Sequence, residues 1–234
     1  MRRLVMGVLI LCGAHAQEPS AAQRNDACLG LRGNRSPEAV AVMRKAIADP
    51  VVRTCAAGNL REAGAVESLV DALTTGAPDT KMAAARELGA LKDARALASL
   101  GGAALDANPL VASAAIAALA EYGDRAALPH LLKAAAEPSI SGVFAMEQAA
   151  RFHDAAVLPI ARRVLATGDV ASKVLAAGII GELGDATDLP KLREIAAKSE
   201  PVASRGRGFG FMPVIDLGRV AKNAIERITT EPRP

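Results

Sequence analysis

The chain has 234 residues, 51% of them apolar and only 2% aromatic, with a formal net charge of +3. With so few rings, Ala and Leu must build the core, which suits helices approaching closely along small side chains better than the wide interior of a β-sandwich. Removing residues 1–16 takes Arg2 and Arg3 from 28 basic residues and leaves 26 against 25 acidic ones, a balance that takes away the compositional case for strong nucleic-acid or polyanion binding.

The chain opens Met1-Arg2-Arg3, continues through the apolar run LVMGVLILCGA and reaches Ala14-His15-Ala16 before turning polar. A charged start, an h-region of about 11 residues and an A-x-A site predict a secretory signal peptide cleaved after Ala16, since a membrane span needs roughly 20 apolar residues. Leu11 precedes Cys12, which disfavours the lipoprotein form of such a signal. The expectation is a secreted or periplasmic protein with no membrane span. Cys28 and Cys55 then remain in an oxidising compartment, 27 positions apart, where a disulfide would stabilise by roughly 3 kcal/mol. Two buried free thiols are the alternative. Neither cysteine sits in a CxxC or Cys/His cluster, so no metal is expected.

Residues 17–49 read as a polar N-terminus and a partial capping repeat. Gly30, Gly33 and Asn34 break the first part, leaving a frayed start and at most a short helix near Asp26–Leu31. Ser36-Pro37-Glu38 then opens a helix running to Asp49, with a capping hydroxyl before Pro at the first helical position. From Pro50 to Lys198 five helix pairs are predicted: 50–63 with 65–75, 79–91 with 94–105, 109–122 with 125–136, 139–152 with 155–166, and 169–183 with 187–198. They repeat one skeleton, seen in VLAAGIIGELGDATDLPKL (residues 174–192) and in SAAIAALAEYGDRAALPHL upstream. It consists of an Ala-rich apolar helix, a turn ending in Asp, and a helix opening at Leu-Pro. Asp93, Asp124, Asp154 and Asp185 recur at steps of about 30 residues, the length of two short helices and their turns in a solenoid. Gly101-Gly102 should fray or bend the second helix of its pair, at about 1 kcal/mol per Gly relative to Ala. Residues 199–234 comprise a Gly/Arg/Phe loop and a closing helix from about Leu217 to Thr229.

The pattern of AARELGALKDARALASL, AAIAALAEYGDRAALPHLL and AAGIIGELGDATDLPKL resembles HEAT repeats of the short bacterial type also found in phycobilisome-lyase relatives. The resemblance covers about residues 50–198. It implies an all-α, right-handed α-solenoid of stacked antiparallel pairs, HEAT-like or armadillo-like, with the second helices lining a concave face. Ala65 departs from the Asp of later turns, and Arg151-Phe152-His153 stands where Leu-Gly is usual. The same repeat serves scaffolds, adaptors and a few enzymes, so the fold does not select an activity.

The Asp ladder is the most regular polar feature. Each Asp precedes a helix by one or two residues, where a carboxylate caps free N–H groups and meets the positive end of the dipole; layers 8–10 Å apart would not share one ion. Of the two histidines that follow residue 16, neither His130 nor His153 is followed by Glu, so the His-Glu pairs of HEAT-like iron hydroxylases that modify a lysine have no counterpart. No catalytic residue, metal ligand or cofactor is assigned. The reading is an exported module that binds a protein or peptide of the envelope through its concave face, without nucleic acid; the alternative is a non-redox enzyme or enzyme subunit of the HEAT-like lyase type. Aligning the second helices brings Lys133, Arg163 and Arg193 towards one basic stripe, which either recognises an acidic segment or is a solvated row balanced by Glu137 and Glu194. In SRGRGFGFMP (residues 204–213), Arg205, Arg207, Phe209 and Phe211 form either a cap on the last pair or a binding arm.

Overall fold

The computed structural model describes residues 18–198 and 216–230, in two compact units divided between residues 65 and 66. Every regular element among the described residues is a helix: thirteen α-helices, with short 3-10 turns between some of them.

The first unit holds α1 (Ala21–Leu29), α2 (Pro37–Ala46) and α3 (Arg53–Glu62). α1 starts earlier and is longer than the short helix expected near Asp26–Leu31, because Ser20 and Gln23 close a capping box. The Ser20 hydroxyl accepts from the Gln23 N–H at 3.2 Å, and the Ser20 N–H donates to Gln23 Oε1 at 2.8 Å. That S-x-x-Q spacing is legible in the sequence. α2 is capped as its Ser-Pro-Glu opening predicts, with the Ser36 hydroxyl accepting from Ala39 N–H at 3.2 Å. Met43, Ile47, Ala56, Ala57 and Leu60 form the buried centre of this unit. α1 contributes one buried residue to it, Cys28.

The second unit is an α-solenoid of stacked helix pairs. α4 (Val66–Thr75) leads to α5 (Pro78–Leu91) and α6 (Leu97–Ala103), then α7 (Pro109–Tyr122) and α8 (Leu128–Ala135), α9 (Ile140–Ala150) and α10 (Leu158–Thr167), α11 (Val170–Leu183) and α12 (Leu189–Lys198), and finally α13 (Leu217–Thr230). The last four second helices begin about three residues later than expected, each behind a 3-10 turn at residues 94–96, 125–127, 155–157 or 186–188. The cause is the aspartate ahead of each turn, whose carboxylate accepts from the N–H two residues on and closes a three-residue turn before the α-helix opens at Leu. Pro129, Pro159 and Pro190 follow that Leu, where a missing N–H costs no hydrogen bond.

Close approach between first helices depends on glycine at two places. A Cβ on Gly89 would lie 2.8 Å from the Cα of Ala118, and one on Gly181 would lie 2.8 Å from the Cα of Ala224. α13 therefore docks on α11 as α7 docks on α5, taking the place of a first helix in a sixth pair. The fraying expected at Gly101-Gly102 is not found: α6 runs through both. Gly101 is buried and faces the His130 ring, which a Cβ would strike, so this glycine makes room for a neighbour rather than breaking its helix.

Candidate binding surface

Counting each second helix from its opening residue, Val66, Leu97, Leu128, Leu158 or Leu189, puts the five in one register. Three steps on, Leu69, Leu100, Leu131, Ala161 and Leu192 are all fully buried. Five steps on, Asp71, Gly102, Lys133, Arg163 and Glu194 lie on the outer face, all exposed except the partly covered Asp71. Periodicity of 3.6 residues thus gives every second helix one apolar seam and one open face.

The expected basic stripe is uneven in this register. Lys133 and Arg163 share a column, whereas Arg193 falls one step earlier, in the column of Arg162, and Glu194 takes the place beside Arg163. Lys133 and Arg193 are exposed. Arg163 donates from Nη2 to the Ala135 carbonyl at 3.2 Å, satisfying the end of α8. Glu194 is held between Lys191 at 2.8 Å and Lys198 at 2.7 Å, and these two ammonium groups pull its pKa down to about 2. A cleft of about 270 Å³ opens beside this trio, lined by Leu165, Ala166, Lys173, Ile195 and Leu217 as well.

At the turns from first to second helices the charges are largely spent on one another. Asp93, Asp124, Asp154 and Asp185 accept from the N–H groups of Arg95, Ala126, Ala156 and Thr187 at 2.8–2.9 Å. The Arg95 guanidinium joins Asp93 to Glu67 and holds the Asp93 pKa at about 2; Arg125 reaches Asp154 of the next layer at 2.8 Å. Arg162 grips Asp188 with two hydrogen bonds, Nε to Oδ1 at 2.7 Å and Nη2 to Oδ2 at 2.9 Å. Asp188 is itself buried and accepts from the Asp185 N–H, a pairing that sequence reasoning missed. Its only outward sign is the second carboxylate three residues after Asp185. His130 lies against Gly101, and His153 takes a left-handed backbone with φ 49°, as Gly123 does one layer earlier with φ 71°. Among the described residues no three His, Cys, Asp or Glu side chains gather closely enough to hold a metal ion.

In the first unit Cys28 and Cys55 stand at disulfide distance, with Cα atoms 6.3 Å apart. Asn59, buried in α3, donates from Nδ2 to the Cys28 carbonyl at 2.8 Å and lies 3.6 and 3.7 Å from the two sulfurs. Arg205, Arg207, Phe209 and Phe211 lie outside the described residues, as does the expected signal peptide.

Residues 66–143 match the family model described as HEAT repeats, covering α4 to the start of α9. No curated protein matches the chain. Among solved structures, human deoxyhypusine hydroxylase in complex with glycerol is similar at 17% identity, covering 92% of this chain and 92% of that one, with a TM-score of 0.36. A likeness that loose has no bearing on activity. No described helix is long and apolar enough to cross a membrane.

Proposed function

We propose that this protein is an exported HEAT-repeat binding or scaffold module whose second helices engage an extended protein or peptide of the cell envelope. The observation that carries the reading is the register: five successive helices bury the same step and the last four open the same step, so uncovered positions recur in columns. Such a surface suits a partner that runs across layers. Lys133 and Arg193, exposed and without an ion-pair partner among the described residues, are its candidate recognition groups for acidic side chains. Export rests on the N-terminal pattern, and Cys28 and Cys55 at disulfide distance agree with an oxidising compartment.

The test places a photo-crosslinking residue at position 133 or 193, and as a control at the outward position 117 on α7, in protein expressed with its own N-terminus. The reading expects a partner captured from positions 133 and 193 and lost on charge reversal by Lys133→Glu with Arg193→Glu. Capture that survives the reversal, or that occurs equally from position 117, would overturn it.

A further inference from the structure

Six large apolar side chains are exposed among the described residues, and four of them, Leu105, Leu110, Ile140 and Val170, lie in the second unit. Those four fall at three consecutive turns that lead from a second helix into the next first helix. Leu110, Ile140 and Val170 recur at strict 30-residue spacing and occupy the first or second position of α7, α9 and α11. Their exposures are 64%, 90% and 58%, high values for residues of this size in a chain whose other Leu, Ile and Val mostly build its core. Each stands in the first turn of its helix. The opposite set of turns shows no such row: it carries the Asp-Arg ion pairs described above.

Charge on this apolar edge leans acidic. Asp106, Glu137 and Asp169 stand in the same turns, against Lys173 in the first turn of α11. Lys81 is engaged by Asp106 at 2.8 Å. Glu137, three residues before Ile140, and Asp169, directly ahead of Val170, have no ion-pair partner among the described residues; the Asp169 carboxylate accepts from the Ser172 N–H at 2.8 Å.

We propose that this edge is a second docking surface, distinct from the face of the second helices, and that its occupant is a cationic extended segment of another protein. In that segment apolar side chains meet Leu110, Ile140 and Val170 while Lys or Arg between them meets Glu137 and Asp169. Helices packed about 8–10 Å apart set the spacing of the row, and a chain extended as polyproline II rises about 9 Å over its three-residue turn, so every third residue of the partner faces the row. An anionic membrane is the poorer occupant, because the carboxylates would face headgroups of their own sign.

The experiment uses the full-length mature protein and a fluorescent 14-residue peptide with Leu at every third position and Lys between. Its controls are the same peptide with Glu for Lys, and vesicles of neutral or phosphatidylglycerol-rich lipid. Fluorescence anisotropy should show binding of the Lys peptide and none of the Glu peptide. Leu110→Ser with Ile140→Ser and Val170→Ser should weaken it at least tenfold, and Glu137→Gln with Asp169→Asn, which keeps the cap, about threefold to tenfold. Circular dichroism should be unchanged in both variants, since all five side chains are outside the core. Lys133→Glu with Arg193→Glu should leave peptide affinity within twofold, which separates this surface from that of the proposed function. Four results would each overturn the proposal: equal binding of the Glu peptide, no loss in the triple Ser variant, vesicle flotation or self-association that this variant abolishes, or peptide binding that appears only once Phe209→Ser with Phe211→Ser has freed the edge from the chain's own segment.

Discussion

Replacing Cys28 and Cys55 together by Ala tests whether a covalent bridge holds α1 in place. Their separation of 27 residues corresponds, in the chain-entropy description, to about 3.5 kcal/mol at 25 °C. Little else anchors α1: Cys28 is its one buried residue, supported by the Asn59 hydrogen bond to the Cys28 carbonyl and by the partly exposed pair Arg24–Asp49 at 3.1 Å. Hydrogen bonds and ion pairs of that exposure contribute about 1 kcal/mol each. Without the bridge the balance for α1 lies near zero, so the helix should open locally while α2 and α3 keep Met43, Ile47 and Leu60 covered. Hydrogen exchange read by mass spectrometry should show protection lost over residues 21–29 in the double variant, with residues 66–198 unchanged. Thiol labelling of exported wild-type protein under denaturing, non-reducing conditions should find neither cysteine free. Retained protection of residues 21–29 in the variant would refute the reasoning about α1, and labelling of both cysteines would refute the bridge itself.

Other perturbations follow from single contacts. Gly89→Ala and Gly181→Ala should each destabilise by about 1–3 kcal/mol, because the new methyl meets backbone at 2.8 Å, whereas Gly178→Ala, with nothing within 4 Å, should stabilise by up to about 1 kcal/mol; denaturant midpoints decide the signs. Lys92→Gly and His153→Gly, at φ 55° and 49°, should each raise stability by about 0.5 kcal/mol, and Gly123→Ala at φ 71° should lower it by about 1 kcal/mol. Arg162→Ala should cost about 1.5–3 kcal/mol, since it leaves the buried Asp188 carboxylate without its two-pronged donor. The folded-state pKa values of Asp93 and Glu194, both held at about 2 by cationic neighbours, lie below their unfolded values, so their stabilisation is complete above about pH 4.5 and is lost as pH falls towards 2. Melting temperature should decline over that window, less so in high salt, and carboxyl NMR titration finding Glu194 at its ordinary value would contradict this.

Repetition made the fold readable. An Asp every 30 or so residues, followed in three of four cases by Leu-Pro, places the last four turns and their second helices in the sequence, and the caps at Asp93, Asp124, Asp154 and Asp185 sit where that pattern puts them. What escaped was decided by neighbours distant in sequence. Gly101 and Gly102 look alike as residues, yet one faces His130 from the adjacent helix and the other faces nothing within 4 Å. Arg162 and Arg163 are likewise adjacent and alike. The first belongs to Asp188 of the next layer and the second to a carbonyl of the layer before, partners 26 and 28 residues away. Alignment of charges into a stripe could not see these commitments, although the one-residue offset of Arg193 could be counted from Leu128, Leu158 and Leu189.

Function in such a protein has to be sought in the side chains left over once the stack is satisfied. Layers are joined by buried Leu and Ala at recurring steps, by Gly where helices cross closely, and by Arg-carboxylate pairs at one set of turns, and these account for most of what repeats. Three groups do not serve the stack: the outer column of the second helices apart from Arg163, the lysines around Glu194, and the row Leu110, Ile140 and Val170. The lysine group is mutually satisfied through Glu194, which leaves two open surfaces. One is polar and changes sign along the stack, from Asp71 to Lys133, which suits selective but weak contacts screened by salt. The other is apolar with an acidic margin, where desolvation would supply affinity and charge the choice of partner. A scaffold needs two non-overlapping surfaces to hold two partners at once, and a stack of helix pairs provides them without a further domain, because its turn edge and its helix face point in different directions.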